Sequence, residues 1–304
     1  MKLKTKDLLT LNELDKKEVE EILNIAIKLK KDLKSGICKP LLKNKTLAMI
    51  FQKSSTRTRV SFETGMYQLG GHALNLSQEE LQLSRGETIE DTARTLSRYV
   101  NIIMARVYSH GELEKLAKSA TVPVINGLSD SFHPCQILAD LMTIKEKKKK
   151  LSGMKLAWIG DGNNVCNSMI YGCVKTGIEI SIATPKGYEP DSNVIKESKK
   201  MGTIELSNDP VLAATNADVI ATDTFVSIHH KGTNRLKDFL PKFQVNSLLM
   251  KKAKEDAIFL HCLPAKRGQE VTDSVIDGNQ SAVWDEAENR LHVQKSLMIS
   301  MLRV

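Results

Sequence analysis

The sequence is short of long apolar runs, of aromatic residues and of paired cysteines. No stretch approaches the ~20 consecutive apolar residues that a membrane helix needs, so no membrane partner is expected. Met1 to Lys6 carries charge with no apolar segment behind it and is not expected to act as a secretory signal. The five cysteines, Cys38, Cys135, Cys166, Cys173 and Cys262, form no CxxC pair. Their odd number and wide spacing argue against a disulfide framework and suit a reducing cytoplasm. Acidic residues are outnumbered, 36 against 44 basic ones, leaving a net charge of +8. Nucleic acid is one partner for such a charge. The one dense basic run, Lys145 to Lys150 with Glu146 inside it, has no aromatic residue interleaved for base stacking. The excess therefore reads as a lysine-rich surface whose field also favours a small anionic substrate.

What is present is an alternation of strand and helix patterns over 304 residues, a length that suits two domains. Residues 15–33 place Val19, Ile22, Leu23, Ala26 and Ile27 at helical spacing, with Asp15 or Asn12 as cap. Thr46 to Phe51 is a buried-strand run, and Val60, Phe62, Met66 and Leu69 resume the helical period until Gly70-Gly71. Strands are predicted at 72–76, 100–104 and 122–125, and helices at 87–99, 111–119 and 134–147. After the lysine run the pattern restarts with strands at 155–159, 179–183, 219–221 and 258–260 and helices at 166–175, 211–215 and 286–302. Alternating elements of this kind imply an α/β protein with two doubly wound domains, each a parallel sheet covered by helices. The expected division is 1–150, 151–285, and a closing helix, 286–304, that packs back on the first domain.

Ligands of parallel sheets bind beyond the carboxyl ends of strands, and the unusual polar residues fall there. Ser54-Ser55-Thr56-Arg57-Thr58-Arg59 follows the first strand and opens a helix. A helix N-terminus attracts anions, and Arg adds a bidentate fork matched to phosphate oxygens. An ordinary N-cap needs one Ser or Thr; two arginines in the first turn are unfavourable without an anion. Arg106, His133, the run Asp161 to Asn164, Asp223 and His261-Cys262 each follow other strands.

The stretch Phe51-Gln-Lys-Ser-Ser-Thr-Arg-Thr-Arg-Val-Ser-Phe-Glu63 resembles the carbamoyl-phosphate motif of the aspartate and ornithine carbamoyltransferase superfamily. His133-Pro-Cys-Gln136 matches that superfamily's His-Pro-x-Gln. His261-Cys-Leu-Pro264 is similar to its ornithine branch, and Gly160-Asp-Gly-Asn-Asn164, Thr222-Asp-Thr224 and Glu286-Ala-Glu-Asn-Arg290 follow in that branch's order. The resemblance spans the whole chain.

The resemblance implies transfer of a carbamoyl group from carbamoyl phosphate to ornithine in the cleft between the domains, and a place in arginine biosynthesis. Ser55, Thr56, Arg57, Thr58 and Arg106 would hold phosphate. Arg57 and His133 would face the carbonyl oxygen, and Gln136 the carbamoyl amide. The carbonyl groups of Cys262 and Leu263 would accept from that amide, with Arg290 nearby. Gln82 would reach a neighbouring subunit's site, so a homo-oligomer, a trimer or a multiple of trimers, is implied. Asn164, Asp223, Ser227 and Ile228 would hold ornithine, with Asp223 and Cys262 assisting loss of the ammonium proton. This chemistry needs no metal and no other cofactor.

Other readings attach to single residues. His133 could be a core histidine, Cys262 buried packing and Asp223 a turn or cap. His133, Cys135, His261 and Cys262 lack the usual spacing of metal ligands. Gly160-x-Gly162 is a weak dinucleotide fingerprint, because Val165 stands where its third Gly or Ala belongs. The ornithine branch follows the aspartate with Ser-Met-Gly and an acidic loop. Here Ile228 and His229 replace Met and Gly, which leaves another amine, such as putrescine or a modified ornithine, as the alternative acceptor.

Overall fold

The structure, a computed structural model, describes residues 3–226 and 235–303. The chain divides into two compact units, one of Met1–Met142 with Glu288–Val304 and one of Thr143–Ala287.

In the first unit, α1 (Lys16–Lys34) starts at Asp15, whose side chain accepts from the Glu18 N–H while Glu18 caps in return. This reciprocal box leaves Asn12 out of the cap. β1 (Thr46–Phe51), α2 (Thr56–Gln68), β2 (His72–Ser77), α3 (Ile89–Leu96), β3 (Ile102–Arg106), α4 (His110–Ser119), β4 (Val124–Leu128) and α5 (Pro134–Lys148) follow. The four strands are parallel in the order β2-β1-β3-β4. The run Leu47 to Ile50 is fully buried because a parallel strand is covered on both faces. Ala48 and Ile50 join Ile103, Ala105, Leu113 and Leu116 in one core cluster. The third strand starts two residues later than the apolar run Val100 to Met104 implies. Asn101 is used instead as a bracket, its side-chain oxygen accepting the Thr46 N–H at 2.9 Å.

The second unit holds β5 (Lys155–Ile159), α6 (Asn164–Thr176), β6 (Glu179–Ala183), α7 (Ser192–Ser198), β7 (Ile204–Ser207), α8 (Pro210–Ala214), β8 (Val219–Thr222), α9 (Leu236–Phe239), α10 (Ser247–Met250), β9 (Ile258–His261) and α11 (Asp273–Ile276). Its five parallel strands run β7-β6-β5-β8-β9. A core around Ala157, Ile159, Ile220, Phe225, Phe239 and Phe259 covers one face. The last helix, α12 (Val283–Leu302), begins three residues before the expected start. Its residues from Glu288 onward belong to the first unit, where Lys30 donates to Asn289 at 2.7 Å.

Each sheet reverses its winding once. In the first the neighbours β1 and β3 lead away in opposite directions, and in the second β5 and β8 do. A crevice opens at the carboxyl edge of such a switch point. Both sets of candidate residues lie at those edges.

Candidate active site

The first group is built on the β1 and β3 edge. Ser55 caps α2, its hydroxyl accepting the Thr58 N–H at 3.4 Å. Thr56 and Arg57 therefore occupy the first turn, where backbone N–H groups point at any bound anion. Thr58 is buried, and its hydroxyl oxygen accepts from Arg290 Nη2 at 2.7 Å. Arg106 ends β3 in register with Phe51, the last residue of β1. Arg59 lies on the exposed side of α2, 3.5 Å from Glu63 one turn on.

His133 is buried immediately before α5, whose first residue is Pro134. Burial, then the positive charges of Arg290 and Arg106, hold its imidazole well below the ordinary value of 6.5. A neutral imidazole can donate one N–H without adding charge. One turn further, Gln136 donates from Nε2 to Asp140 at 2.8 Å. That bond fixes which side of the amide is donor and which is acceptor. Cys135, between them, is packing: its thiol bonds the Asn126 carbonyl at 3.4 Å, and burial pushes its pKa up to about 12. Gln82 is placed elsewhere, exposed on a short 3-10 turn, Gln82–Arg85, that follows β2.

The structure adds Lys53 to this group. It is 8 % exposed, with its ammonium 4.2 Å from the Tyr108 ring centroid. Burial and Arg106 lower its pKa, while Asp130 opposes them. The motif contained Lys53, but a single lysine in a polar loop gave no reason to separate it from the surface lysines.

The second group sits on the edge of β5, β8 and β9. Asp223, 7 % exposed, follows β8 and is held on both oxygens. Oδ1 accepts the Thr224 N–H at 2.7 Å and the Cys262 thiol at 3.1 Å, and Oδ2 accepts from Asn163 Nδ2 at 2.8 Å. Asn163 caps α6 through its Oδ1, which accepts the N–H groups of Val165 and Cys166 at 3.0 and 3.1 Å. The cap therefore turns the Asn163 amide so that its NH2 faces Asp223. Asn164, the first residue of α6, is buried beside it. Sequence reasoning started this helix at residue 166 and singled out Asn164, while Asn163 stood only as one member of the run Asp161 to Asn164; the observed helix starts two residues earlier, which makes Asn163 its cap.

Behind Asp223 lies an ion pair, Asp161 with Arg235 at 2.9 Å. Burial raises the Asp161 carboxyl to about 6 although Arg235 pulls it down; the nearby charge of Asp223 adds to the rise. Gly160 and Gly162 serve packing here. A Cβ on Gly160, whose φ is +129°, would meet the Phe225 ring at 2.8 Å, and one on Gly162 would overlap the backbone of Glu189 and Pro190. Both glycines thus have a steric reason that needs no dinucleotide.

His261, Cys262 and Leu263 form the end of β9 and the turn after it. His261 Nδ1 accepts the Leu263 N–H at 2.9 Å, so its Nε2 carries the proton and faces Glu270 Oε1 at 3.1 Å. Glu270 Oε1 also accepts the Lys266 N–H at 2.6 Å, and the His261 N–H donates to Glu286 Oε2 at 2.8 Å. This network holds Leu263 at φ +57°, an uncommon conformation for a branched residue. Ligand atoms of Asp223, His261 and Cys262 all lie within 4.8 Å of one another, near enough for a metal ion. Both His261 nitrogens are already engaged, which leaves two donors where a structural site needs four. Ser227 and Ile228, and the His229-His230 pair, lie outside the described residues.

Residues 6–146 match the family model described as aspartate/ornithine carbamoyltransferase, carbamoyl-P binding domain, and residues 152–301 match that of the Asp/Orn binding domain. The chain is 60% identical over 301 residues to the ornithine carbamoyltransferase of Cenarchaeum symbiosum, covering 99% of each. It is 56% identical over 307 residues to that of Pyrococcus horikoshii, covering 99% of this chain and 96% of the relative. Among solved structures, ornithine carbamoyltransferase from Pyrococcus furiosus superposes with a TM-score of 0.94 at 55% identity, covering 98% of this chain and 97% of that one. That from Thermus thermophilus gives 0.90 at 42%, covering 98% and 99%. Fold and comparisons thus define a carbamoyl-transferring enzyme of the doubly wound α/β class. The chain belongs to the aspartate/ornithine carbamoyltransferase family.

Proposed function

We propose that this chain transfers the carbamoyl group of carbamoyl phosphate to the δ-amine of L-ornithine, giving L-citrulline and phosphate. The observation that carries the choice of acceptor is the Cys262 thiol on Asp223, 3.1 Å apart, in a chain 60% identical to an ornithine carbamoyltransferase over nearly its full length.

Carbamoyl phosphate carries a dianionic leaving group. The N-terminal turn of α2, with Ser55, Thr56, Arg57 and Thr58, and Arg106 at the end of β3 supply the donors and charge that it requires. Arg57 and the neutral His133 are assigned to the carbonyl oxygen, where negative charge builds as the amine attacks. Gln136, oriented by Asp140, offers its amide oxygen to the carbamoyl NH2, as do the carbonyls of Cys262 and Leu263. Arg290, tied to Thr58, adds positive charge to this ligand.

The δ-ammonium of ornithine has a pKa near ~10.4 and must lose a proton to attack. Asp223, with Cys262 beside it, receives that proton and aims the amine, while Asn164, Ser227 and Ile228 hold the amino-acid end. The new C–N bond forms as the bond from carbon to the phosphate oxygen breaks; phosphate leaves with the electron pair and takes up the second proton of the attacking amine, so that neutral citrulline and hydrogen phosphate result. An in-line approach of the bound amine provides the main saving in barrier. No metal and no covalent intermediate on the protein enters.

The homo-oligomeric reading, a trimer or a multiple of trimers with Gln82 serving a neighbour's site, draws support from exposed apolar side chains of the same unit. Val60 and Tyr67 of α2 and Leu74 of the edge strand β2 leave apolar area exposed. A cytoplasmic place in arginine biosynthesis fits the free cysteines and the reaction.

The test is a carbamoylation assay with ornithine, putrescine, lysine and an N-acylated ornithine side by side. Citrulline should form with ornithine, with much lower kcat/KM for the others. Preference for putrescine would move the assignment to another carbamoyltransferase.

A further inference from the structure

On residues that belong to neither group, the first unit contains a cavity of about 280 Å³. α1 contributes Leu29 and Leu33 to its wall, the segment after α1 contributes Ile37 and Cys38, and α12 contributes Lys295 and Ile299. Aliphatic side chains make up much of the wall, and one of its polar residues is a buried cation. Lys295 is 3 % exposed, and its ammonium donates to the neutral Gln68 Oε1 at 2.8 Å.

An ammonium has three donors, and burying one is costly unless an anion accompanies it. Among the described residues no carboxylate is paired with Lys295. Burial lowers its pKa, with only the Cys38 sulfur acting in the other direction. Lys28 and Lys39 also line the cavity against a single acid, Asp32, so the lining carries an excess of positive charge. An aliphatic wall and an uncompensated cation together select a ligand with an apolar tail and an anionic head. The volume lies just below the ~300–1,000 Å³ of ordinary small-molecule pockets, so that ligand is short.

We propose that this cavity is a binding site for a short aliphatic carboxylate, its head on Lys295 and its tail against Leu29, Leu33, Ile37 and Ile299. The site is separate from the carbamoyl-transfer groups and rests on none of them.

Cys38 is exposed on the cavity wall and provides the readout. The full chain is alkylated with iodoacetamide with and without octanoate, and the rate at Cys38 is followed by peptide mass. Octan-1-ol and inorganic phosphate are the controls. At ten times its dissociation constant octanoate should slow Cys38 alkylation about tenfold. Octanol and phosphate should leave the rate unchanged. Lys295→Met, which exchanges the cation for an apolar chain of similar length, should abolish protection. Ile37→Trp, on an exposed segment that cannot unfold the core, should also abolish it by filling the cavity. Absence of protection, equal protection by octanol, or full protection in Lys295→Met would overturn the proposal. Protection accompanied by a change in molecular mass on light scattering would also overturn it, since the groove would then be covered by a second copy.

Discussion

The thiol of Cys262 donates to Asp223 Oδ1 at 3.1 Å, and the opposite oxygen of that carboxylate accepts from Asn163 at 2.8 Å. Asp223 is thus oriented by a thiol at the end of β9 and by the cap of α6. Asp223→Asn keeps the volume but removes the charge and sets a new NH2 against existing donors. Its kcat/KM for ornithine should fall by ~10²–10⁴, the range of a lost proton acceptor. The affinity for carbamoyl phosphate, from a separate titration, should be unchanged. Activity within a factor of two of wild type would remove Asp223 from the proton path.

Asn163 has two jobs that one substitution separates. Asp is as good an N-cap as Asn, so Asn163→Asp should keep α6 capped and the unfolding midpoint near wild type. Its second oxygen then faces the Asp223 carboxylate, and like charges at that distance repel. A raised ornithine KM with normal stability is expected. If instead both the stability and the ornithine KM stayed at wild-type values, the residue would be a cap and nothing else.

His133 gives a pH signature. Burial and the charges of Arg290 and Arg106 lower its pKa when folded, whereas the unfolded chain titrates near 6.5. Below pH 6.5 the unfolded state binds the extra proton, so this residue's stabilisation is present above 6.5 and is lost as the pH falls toward its folded value. His133→Gln should therefore show a shallower loss of unfolding free energy between neutral and mildly acidic pH. An identical slope in urea titrations of both proteins would contradict a neutral His133.

Asp161 works in the opposite sense. Its carboxyl rises from 3.8 to about 6 on folding, so the folded chain holds the extra proton within that window. The stabilisation is complete below 3.8 and is lost as the pH rises through about 6. Relative to wild type, Asp161→Asn should gain stability on going from pH 4 to pH 6.5, measured as the difference in urea midpoint. A difference independent of pH would show that Asp161 stays ionised throughout.

Much of this was legible in the sequence, and the gaps have physical causes. Leu47 to Ile50 and Leu156 to Ile159 announce buried parallel strands because both faces are covered, and Ser55 and Asp15 announce helix starts because caps are local. β7 escaped notice: in Ile204–Ser207 only Ile204 is buried, so an edge strand has no apolar run to show. α9, α10 and α11 are single turns of four residues, too short for a helical period. Asn163, Asp161 and Arg235 act through partners distant in sequence, and no local pattern reports a contact across 60 residues such as Asn163 with Asp223.

The most direct measurement is a calorimetric titration of the purified chain with carbamoyl phosphate, repeated on Arg57→Ala. Wild type should release heat and saturate, and Arg57→Ala should lose at least about tenfold in affinity, the worth of one charge-assisted contact to phosphate. No heat with wild type, or equal binding by Arg57→Ala, would contradict the assignment of the α2 N-terminus to the phosphorylated substrate.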